Sequence, residues 1–154
     1  MMKHSAGILV YKIENNRIKV LLCHMGGPYW QAIDQGAWSI PKGEFRNEKA
    51  IHAAVREFHE ETGFDIDDKQ LTFLGSKKQS NNKLVTVFDV AHNFDATKIK
   101  SNTFFKEWPK GSGNIQEFPE MDRAEWFDIG VAKQKILKGQ LYFLLKLENK
   151  LNTN

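Results

Sequence analysis

One segment constrains the fold of this chain more than any other: residues 43–64, in which a glycine-containing loop precedes an acidic helical stretch. No Pro or Gly occurs between Glu48 and Thr62, and Gly63 is the residue type that commonly ends a helix in the left-handed conformation. The segment therefore predicts a helix of about four turns that begins near Glu48.

The predicted helix has one packing face and one acidic face. Successive residues turn by about 100°, so four side chains share one face and three glutamates lie on nearly the opposite one. The packing face contains Ile51, Val55, Phe58 and Thr62, and the acidic face contains Glu57, Glu60 and Glu61. We expect the first face to pack and the second to be displayed.

The three glutamates of the acidic face repel one another, which costs helix stability. Mg²⁺ removes that cost because it prefers oxygen ligands and leaves its other positions to water or phosphate oxygens. A solvated acidic surface is the simpler alternative. The metal interpretation is favoured by Arg56, which can brace the glutamates together with Glu48, and by Gly43, whose bare backbone can approach whatever they hold. We therefore predict a divalent-metal site on this helix.

The composition of the chain is that of a globular protein. Its 154 residues are 41% hydrophobic and 12% aromatic, so we expect a single domain over residues 1–154 with a sizeable core. No apolar run is long enough to cross a bilayer and no signal-peptide core is present, which predicts a cytoplasmic protein without a membrane partner. The lone Cys23 excludes an intramolecular disulfide and is expected in a buried strand rather than as a nucleophile. The net charge of +3 identifies no partner, although lysines gathered between residues 77 and 110 can attract a polyphosphate.

Strand and helix signals are interleaved along the chain. Apolar β-branched runs at residues 6–13 and 18–23 flank the turn Glu14-Asn15-Asn16-Arg17 and predict a hairpin. Further strands are predicted at residues 38–41, 71–76, 83–90 and 125–128, with a turn at Asn81-Asn82, and helices at residues 129–138 and 140–149, the first capped by Asp128. This order predicts an α/β or α+β fold in which helices cover a mixed β-sheet.

Two loops are candidates for the border of a substrate pocket. A loop rich in Gly and Pro carries Tyr29 and Trp30 at its tip, and such rings either pack on the core or stack on a nucleobase. Residues 92–116 are polar and predicted to be irregular, a length that is uncommon in a compact domain unless the loop is functional.

The helical segment resembles a known motif. Arg56-Glu57-Phe58-His59-Glu60-Glu61-Thr62-Gly63-Phe64 is similar to the second half of the Nudix box, and Glu48 stands eight residues before Arg56, as the box requires. The first half departs from the box by one residue, because only four residues separate Gly43 from Glu48. Residues 6–11, 38–43 and 126–127 extend the resemblance to Nudix hydrolases of the diadenosine-tetraphosphate type.

The resemblance implies a fold and a set of residue roles. It implies the Nudix α/β/α sandwich, with Mg²⁺ or Mn²⁺ bound by Glu57, Glu60, Glu61 and the carbonyl of Gly43. Arg56 and Glu48 match the pair that supports these ligands. Glu120 matches a further loop glutamate that serves as a metal ligand or general base, with Glu117 as its rival. Lys42, Trp38 and Tyr29 are the candidate substrate-binding residues.

The implied activity is metal-dependent hydrolysis of a phosphoanhydride bond in a nucleoside-diphosphate-linked compound, with Glu57 or Glu120 as the general base. Diadenosine tetraphosphate or another dinucleoside polyphosphate is the leading substrate class. An oxidised nucleoside triphosphate, ADP-ribose and the 5′ end of an RNA remain alternatives, since specificity lies in loops. A Nudix domain that binds a nucleotide as a sensor without turnover is the alternative of a different class.

Overall fold

A computed structural model of the protein describes residues 1–79 and 82–152. In chain order its strands and helices are β1 (Lys3–Glu14), β2 (Arg17–Met25), β3 (Trp38–Ser39), β4 (Lys42–Phe45), α1 (Ala50–Thr62), β5 (Thr72–Gln79), β6 (Lys83–Ala91), β7 (Thr103–Glu107), β8 (Ile115–Pro119), β9 (Met121–Asp128), α2 (Ile129–Lys135) and α3 (Leu141–Asn152). Short 3-10 turns lie at Asp68–Gln70, Ala96–Lys98 and Lys138–Gln140.

Seven strands form one mixed sheet. Its order is β3-β2-β1-β6-β5, with β4 added against β1 and β9 added against β2. The pairing of β1 with β6 is parallel and the remaining pairings are antiparallel. The hairpin of β1 and β2 turns through Asn15 and Asn16, both with positive φ, which is the two-residue turn that suits the twist of a hairpin.

The two faces of the sheet bury separate apolar clusters. Alternate residues of β1 point to opposite faces, so Ile8 and Val10 pack towards α1 while Leu9 packs towards α2 and α3. Phe58 and the alanines Ala53 and Ala54 bring α1 onto its face of the sheet. Phe143, Leu144 and Leu147 do the same for α3. The result is a mixed sheet flanked by helices, which confirms the predicted α/β/α sandwich.

Several predicted elements need correction. The stretch predicted to be irregular, residues 92–116, contains β7 and the start of β8, which pair with each other outside the main sheet. Helix α2 ends at Lys135 rather than residue 138, and the Asp128 side chain makes no capping hydrogen bond. The turn predicted at Asn81-Asn82 falls partly on residue 81, which is outside the described residues. Cys23 is fully buried in β2, as predicted.

No helix in the described part of the chain is long and apolar enough to span a membrane.

Candidate active site

Helix α1 begins and ends at well-defined backbone positions. It starts at Ala50, two residues later than predicted, because Asn47 adopts a positive φ of 57° and turns the chain out of β4. Glu48 therefore lies in the connection before the helix. Gly63 has a φ of 79° and its N–H donates to the carbonyl of His59 (2.7 Å), so the predicted left-handed helix end is confirmed. These two ends fix the register of the glutamates against β4.

The acidic face of α1 is turned towards the sheet edge rather than displayed. Glu61 is only 7% exposed, and the side chains of Glu57 and Glu60 are 12% and 35% exposed. Ala53 and Ala54 precede Glu57 by four and three residues, so they lie on the same side of the helix. Because both alanines pack on the sheet, the glutamate carboxylates also lie close to it. The prediction that the acidic face is displayed was therefore wrong for Glu57 and Glu61, whereas Glu60 is partly exposed.

Gly43 lies directly against the carboxylate of Glu57. The residue belongs to strand β4, where it pairs with Ala6 of β1, and not to a loop as predicted. A Cβ atom at Gly43 would overlap the Glu57 carboxylate group far inside van der Waals contact. Glycine therefore leaves the room that the Glu57 carboxylate occupies, and any other residue would displace the end of the Glu57 side chain.

Arg56 joins three glutamates. Its Nη1 donates to Glu57 Oε2 (2.6 Å) and Glu60 Oε2 (3.1 Å), while its Nε and Nη2 donate to Glu48 Oε1 at 3.1 and 2.6 Å. The guanidinium suits this role because its planar fork of donors can contact several carboxylates at once. The four side chains form a charged network along the solvent side of the site.

The carboxylate of Glu61 is the most deeply buried of the set. It accepts a hydrogen bond from the backbone N–H of Lys42 (3.1 Å). Burial raises its pKa to about 8, and the nearby charges of Glu120 and Glu57 act in the same direction. Burial also raises the pKa of Glu57, against the opposing effect of Arg56. The site therefore holds more carboxylate groups than its cations compensate.

Glu120 is brought to the same place from the connection between β8 and β9. Its N–H donates to the carbonyl of Asn102 (2.9 Å), the Asn102 N–H donates to the carbonyl of Glu60 (2.7 Å), and the Glu120 carbonyl accepts from Gly26 (2.8 Å). Burial and the charge of Glu60 raise its pKa, and its charge in turn acts on Glu61. Glu117, the rival candidate, instead accepts a hydrogen bond from Thr103 on the β7–β8 hairpin.

Lys42 lies near both the carboxylates and a second lysine, Lys83, which was not predicted as a site residue. Burial lowers the pKa of Lys42, and the charge of Lys83 lowers it further, while Glu61, Glu44 and Glu57 oppose the shift. Lys83 begins β6 and its Nζ lies 3.7 Å from Glu44 Oε2. The lysine run between residues 77 and 110 was the only signal in the sequence, and it did not identify which lysine lies near the site.

The two aromatic candidates differ in accessibility. Trp38 is 1% exposed: its Nε1 donates to Asp34 Oδ1 (2.9 Å), and its ring packs edge-on against His24 and Phe127. Its predicted contact with substrate is therefore wrong, because the ring is part of the core. Tyr29 is 67% exposed and packs edge-on against Trp30, so its ring is accessible.

The donor chemistry of the site fits a hard divalent cation. Glu57, Glu60, Glu61 and Glu120 supply only oxygen atoms, and their charge is incompletely compensated. In the arrangement observed across residues 1–79 and 82–152, no three His, Cys, Asp or Glu side chains form a ready metal-binding group. The reason is local: Arg56 holds Glu57 and Glu60, while the Lys42 amide holds Glu61.

Comparison with known proteins gives a consistent result. The NUDIX domain family model matches residues 3–147. No curated protein matches the chain. One solved structure similar to it is a MutT/nudix family protein from Enterococcus faecalis (17% identity, TM-score 0.59). The match covers 83% of this chain but only 44% of the length of the Enterococcus faecalis protein.

Two other similar structures are matched over most of their length. One is the NUDIX domain of Shewanella oneidensis NrtR complexed with ADP ribose (12% identity, TM-score 0.69, covering 98% of this chain and 89% of that one). Another is C. elegans Ap4A hydrolase in a binary complex (20% identity, TM-score 0.62, covering 99% and 100%). At these identities the structures establish a shared fold, whereas the family model matches nearly the whole chain. The chain therefore belongs to the NUDIX domain family, which confirms its resemblance to the Nudix hydrolases.

Proposed function

We propose that this protein is a divalent-metal-dependent pyrophosphohydrolase that cleaves a phosphoanhydride bond in a nucleoside-diphosphate-linked compound. Dinucleoside polyphosphates such as diadenosine tetraphosphate are the substrate class we favour. The chain acts as one catalytic domain, and Mg²⁺ or Mn²⁺ is the cofactor.

The observation that carries this proposal is the convergence of four partly or deeply buried glutamates. Glu57, Glu60 and Glu61 come from one helix, and Glu120 comes from a distant connection held to that helix by backbone hydrogen bonds. The pKa values of Glu57, Glu61 and Glu120 are raised, so the cluster is costly for a protein that has no cation to bind there. A stability-only role does not explain such an arrangement.

Individual side chains have separate tasks in the proposed reaction. A bound divalent cation supplies charge neutralisation of the phosphates and lowers the pKa of the attacking water. Glu57 or Glu120 accepts the proton of that water, since both carboxylates have raised pKa values and therefore greater basicity. Arg56 fixes Glu57 and Glu60 in position, and Glu48 fixes Arg56. Gly43 leaves the space that Glu57 occupies.

Lys42 and Lys83 are suited to hold the phosphates of the substrate. Burial and, secondarily, the charge of Lys83 lower the pKa of Lys42, and a phosphate near both lysines reduces their repulsion. Tyr29, exposed at the tip of the loop between β2 and β3, is available to stack on a nucleobase.

The experiment that tests the proposal is a substrate panel with product identification in Mg²⁺ and in Mn²⁺. Diadenosine tetraphosphate, ADP-ribose, a nucleoside triphosphate, its oxidised form and a 5′-triphosphate RNA are incubated with the protein, and the released nucleotides are separated. We expect the dinucleoside polyphosphate to be hydrolysed fastest and chelator to abolish turnover. Hydrolysis of another panel member well above it would overturn the substrate class.

A sensor without turnover is the second candidate. It is favoured by the contacts of Arg56, which occupies two of the three helix glutamates and leaves no preformed metal group among the described residues. If one compound binds tightly and none is cleaved in either metal, this candidate replaces the first.

A further inference from the structure

A cavity of about 900 Å³ lies beside the carboxylate cluster. It is lined by the N-terminal end of β1, by the end of β4 and its connection to α1, and by Arg56 of α1. We propose that this cavity binds the second nucleoside phosphate of a dinucleoside polyphosphate, with Lys3 and Arg46 as its phosphate ligands. The proposal rests on the proposed function, because it extends the same substrate beyond the bond that is cleaved.

The charge of the cavity wall favours an anion. Lys3 and Arg46 are exposed, and neither forms an ion pair with any residue that the structure describes. The two acidic residues of the wall are already compensated, since Glu48 is bound by Arg56 at 2.6 Å and Glu44 lies 3.7 Å from Lys83. Two uncompensated cations therefore face the cavity, and a phosphate is the ligand group that pairs with them.

The cavity also offers aromatic surface. His4 and Phe45 lie opposite each other on paired strands, with ring centroids 6.0 Å apart and ring planes tilted by 53°. Phe45 is half-buried, so its ring is held in place by the protein around it. Any of the nucleobases can stack on either ring, because each base has a flat aromatic face. A cavity of this size is also within the range that holds a nucleotide-sized ligand.

The position of Arg56 favours a ligand that extends beyond the carboxylate cluster. Arg56 lines the cavity, and its guanidinium contacts Glu57 and Glu60, so the cavity adjoins the carboxylate cluster. A mononucleotide whose phosphates lie at the carboxylate cluster occupies the cluster but not the cavity. A compound with a nucleoside at each end of a polyphosphate can occupy both, which gives it additional binding free energy.

The test compares three single charge reversals, Lys3→Glu, Arg46→Glu and Lys49→Glu. The third is the control, because Lys49 lies next to the cavity in sequence and changes the net charge equally but does not line the cavity. For each variant, kcat and KM are measured with diadenosine tetraphosphate and with ATP. We expect KM for the dinucleotide to rise about tenfold in the two cavity variants relative to the control, while KM for ATP changes less than about twofold.

Equal KM changes in all three variants, or equal changes for both substrates, would overturn the cavity assignment and leave the proposed function standing. If the wild-type protein hydrolyses nothing, the proposed function fails, and the cavity is tested by calorimetric binding of diadenosine tetraphosphate in Mg²⁺. Weaker binding by Arg46→Glu than by Lys49→Glu then supports the cavity. Equal binding by the two variants, or none by the wild type, rejects it.

Discussion

At the scale of single residues, Glu57 is the position on which the proposed chemistry depends most. Its carboxylate accepts a hydrogen bond from Arg56 and packs against Gly43, and burial raises its pKa. We expect Glu57→Gln to lower kcat by at least about a hundredfold, because the amide can neither accept the proton of water nor bind a divalent cation as an anionic ligand. Steady-state turnover, with circular dichroism to verify folding, measures this effect.

The matched control for that variant is Glu117→Gln, which removes a carboxylate from the neighbouring hairpin that contacts Thr103 instead of α1. We expect its activity to stay within about twofold of the wild type. Near-normal turnover by Glu57→Gln would refute the role assigned to Glu57.

Gly43 gives a second prediction at this scale. In Gly43→Ala the new methyl group collides with the Glu57 carboxylate, so either the carboxylate moves or strand β4 shifts. Because the overlapping atoms are the far end of the Glu57 side chain, we expect a marked loss of activity with a change of less than about 1 kcal/mol in the free energy of unfolding. Gly130→Ala is the control, because nothing lies within 4 Å of a Cβ at that helical position and its φ is not positive. The prediction fails if Gly43→Ala and Gly130→Ala have equal turnover, with chemical denaturation verifying that both variants are folded.

The helical glutamates were predictable from the sequence because their spacing alone places them within one turn of α1. The packing of Trp38 and the nearness of Lys83 to Lys42 were not predictable. Both depend on which strands become neighbours, and β4 and β6 both pair with β1 although they are far apart in sequence. A short stretch of sequence specifies the spacing of residues within a helix, but it does not specify which distant strands become neighbours.

At the scale of elements, the position of Glu120 depends on how its segment is tied down. Ser101 Oγ accepts a hydrogen bond from the Met121 N–H (3.1 Å), and its single hydroxyl hydrogen is within reach of two carbonyl acceptors, Met121 (3.0 Å) and Asn102 (2.9 Å). We expect Ser101→Ala to lower the free energy of unfolding by about 1 kcal/mol and to reduce kcat more than it changes KM. Ser101→Thr keeps the hydroxyl and should restore kcat.

The comparison variant is Ser112→Ala. It removes a hydroxyl that accepts one hydrogen bond within the loop of the β7–β8 hairpin. If Ser101→Ala and Ser112→Ala have the same kcat, the hydroxyl of Ser101 does not position Glu120.

The β7–β8 hairpin shows why some elements escape prediction. Its strands are mostly exposed, so the alternation of buried and exposed residues that identifies a strand is missing. The pairing of Phe104 with Phe118 across the strands stabilises it, and one ring packs against Gly27 of a distant loop. By contrast, β1 and β2 were predicted because both are buried and joined by a two-residue asparagine turn.

At the scale of the whole molecule, the sheet and its flanking helices confirm the predicted sandwich. The buried glutamates of the site make the free energy of unfolding depend on pH. Burial of Glu61 raises its pKa from 4.5 to about 8 in the folded protein, whereas the unfolded chain keeps the ordinary value. Between these values the folded state holds a proton that the unfolded state has released. The free energy of unfolding of the metal-free protein should therefore fall as pH rises from about 4.5 to about 8, by up to about 1.4 kcal/mol per pH unit from this group.

A divalent cation should reverse that trend. Ligation requires the ionised carboxylate, so metal affinity increases with pH through the same interval, and binding to the folded state alone stabilises it. Denaturation in chelator and in saturating Mg²⁺, each at pH 5, 6, 7 and 8, measures both slopes. In Glu61→Gln the slope in chelator should become shallower but persist in part, because Glu57 and Glu120 also have raised pKa values. A slope in chelator that is unchanged by this substitution would show that the pH dependence arises elsewhere, and stability independent of Mg²⁺ at pH 8 would argue against a metal at this cluster.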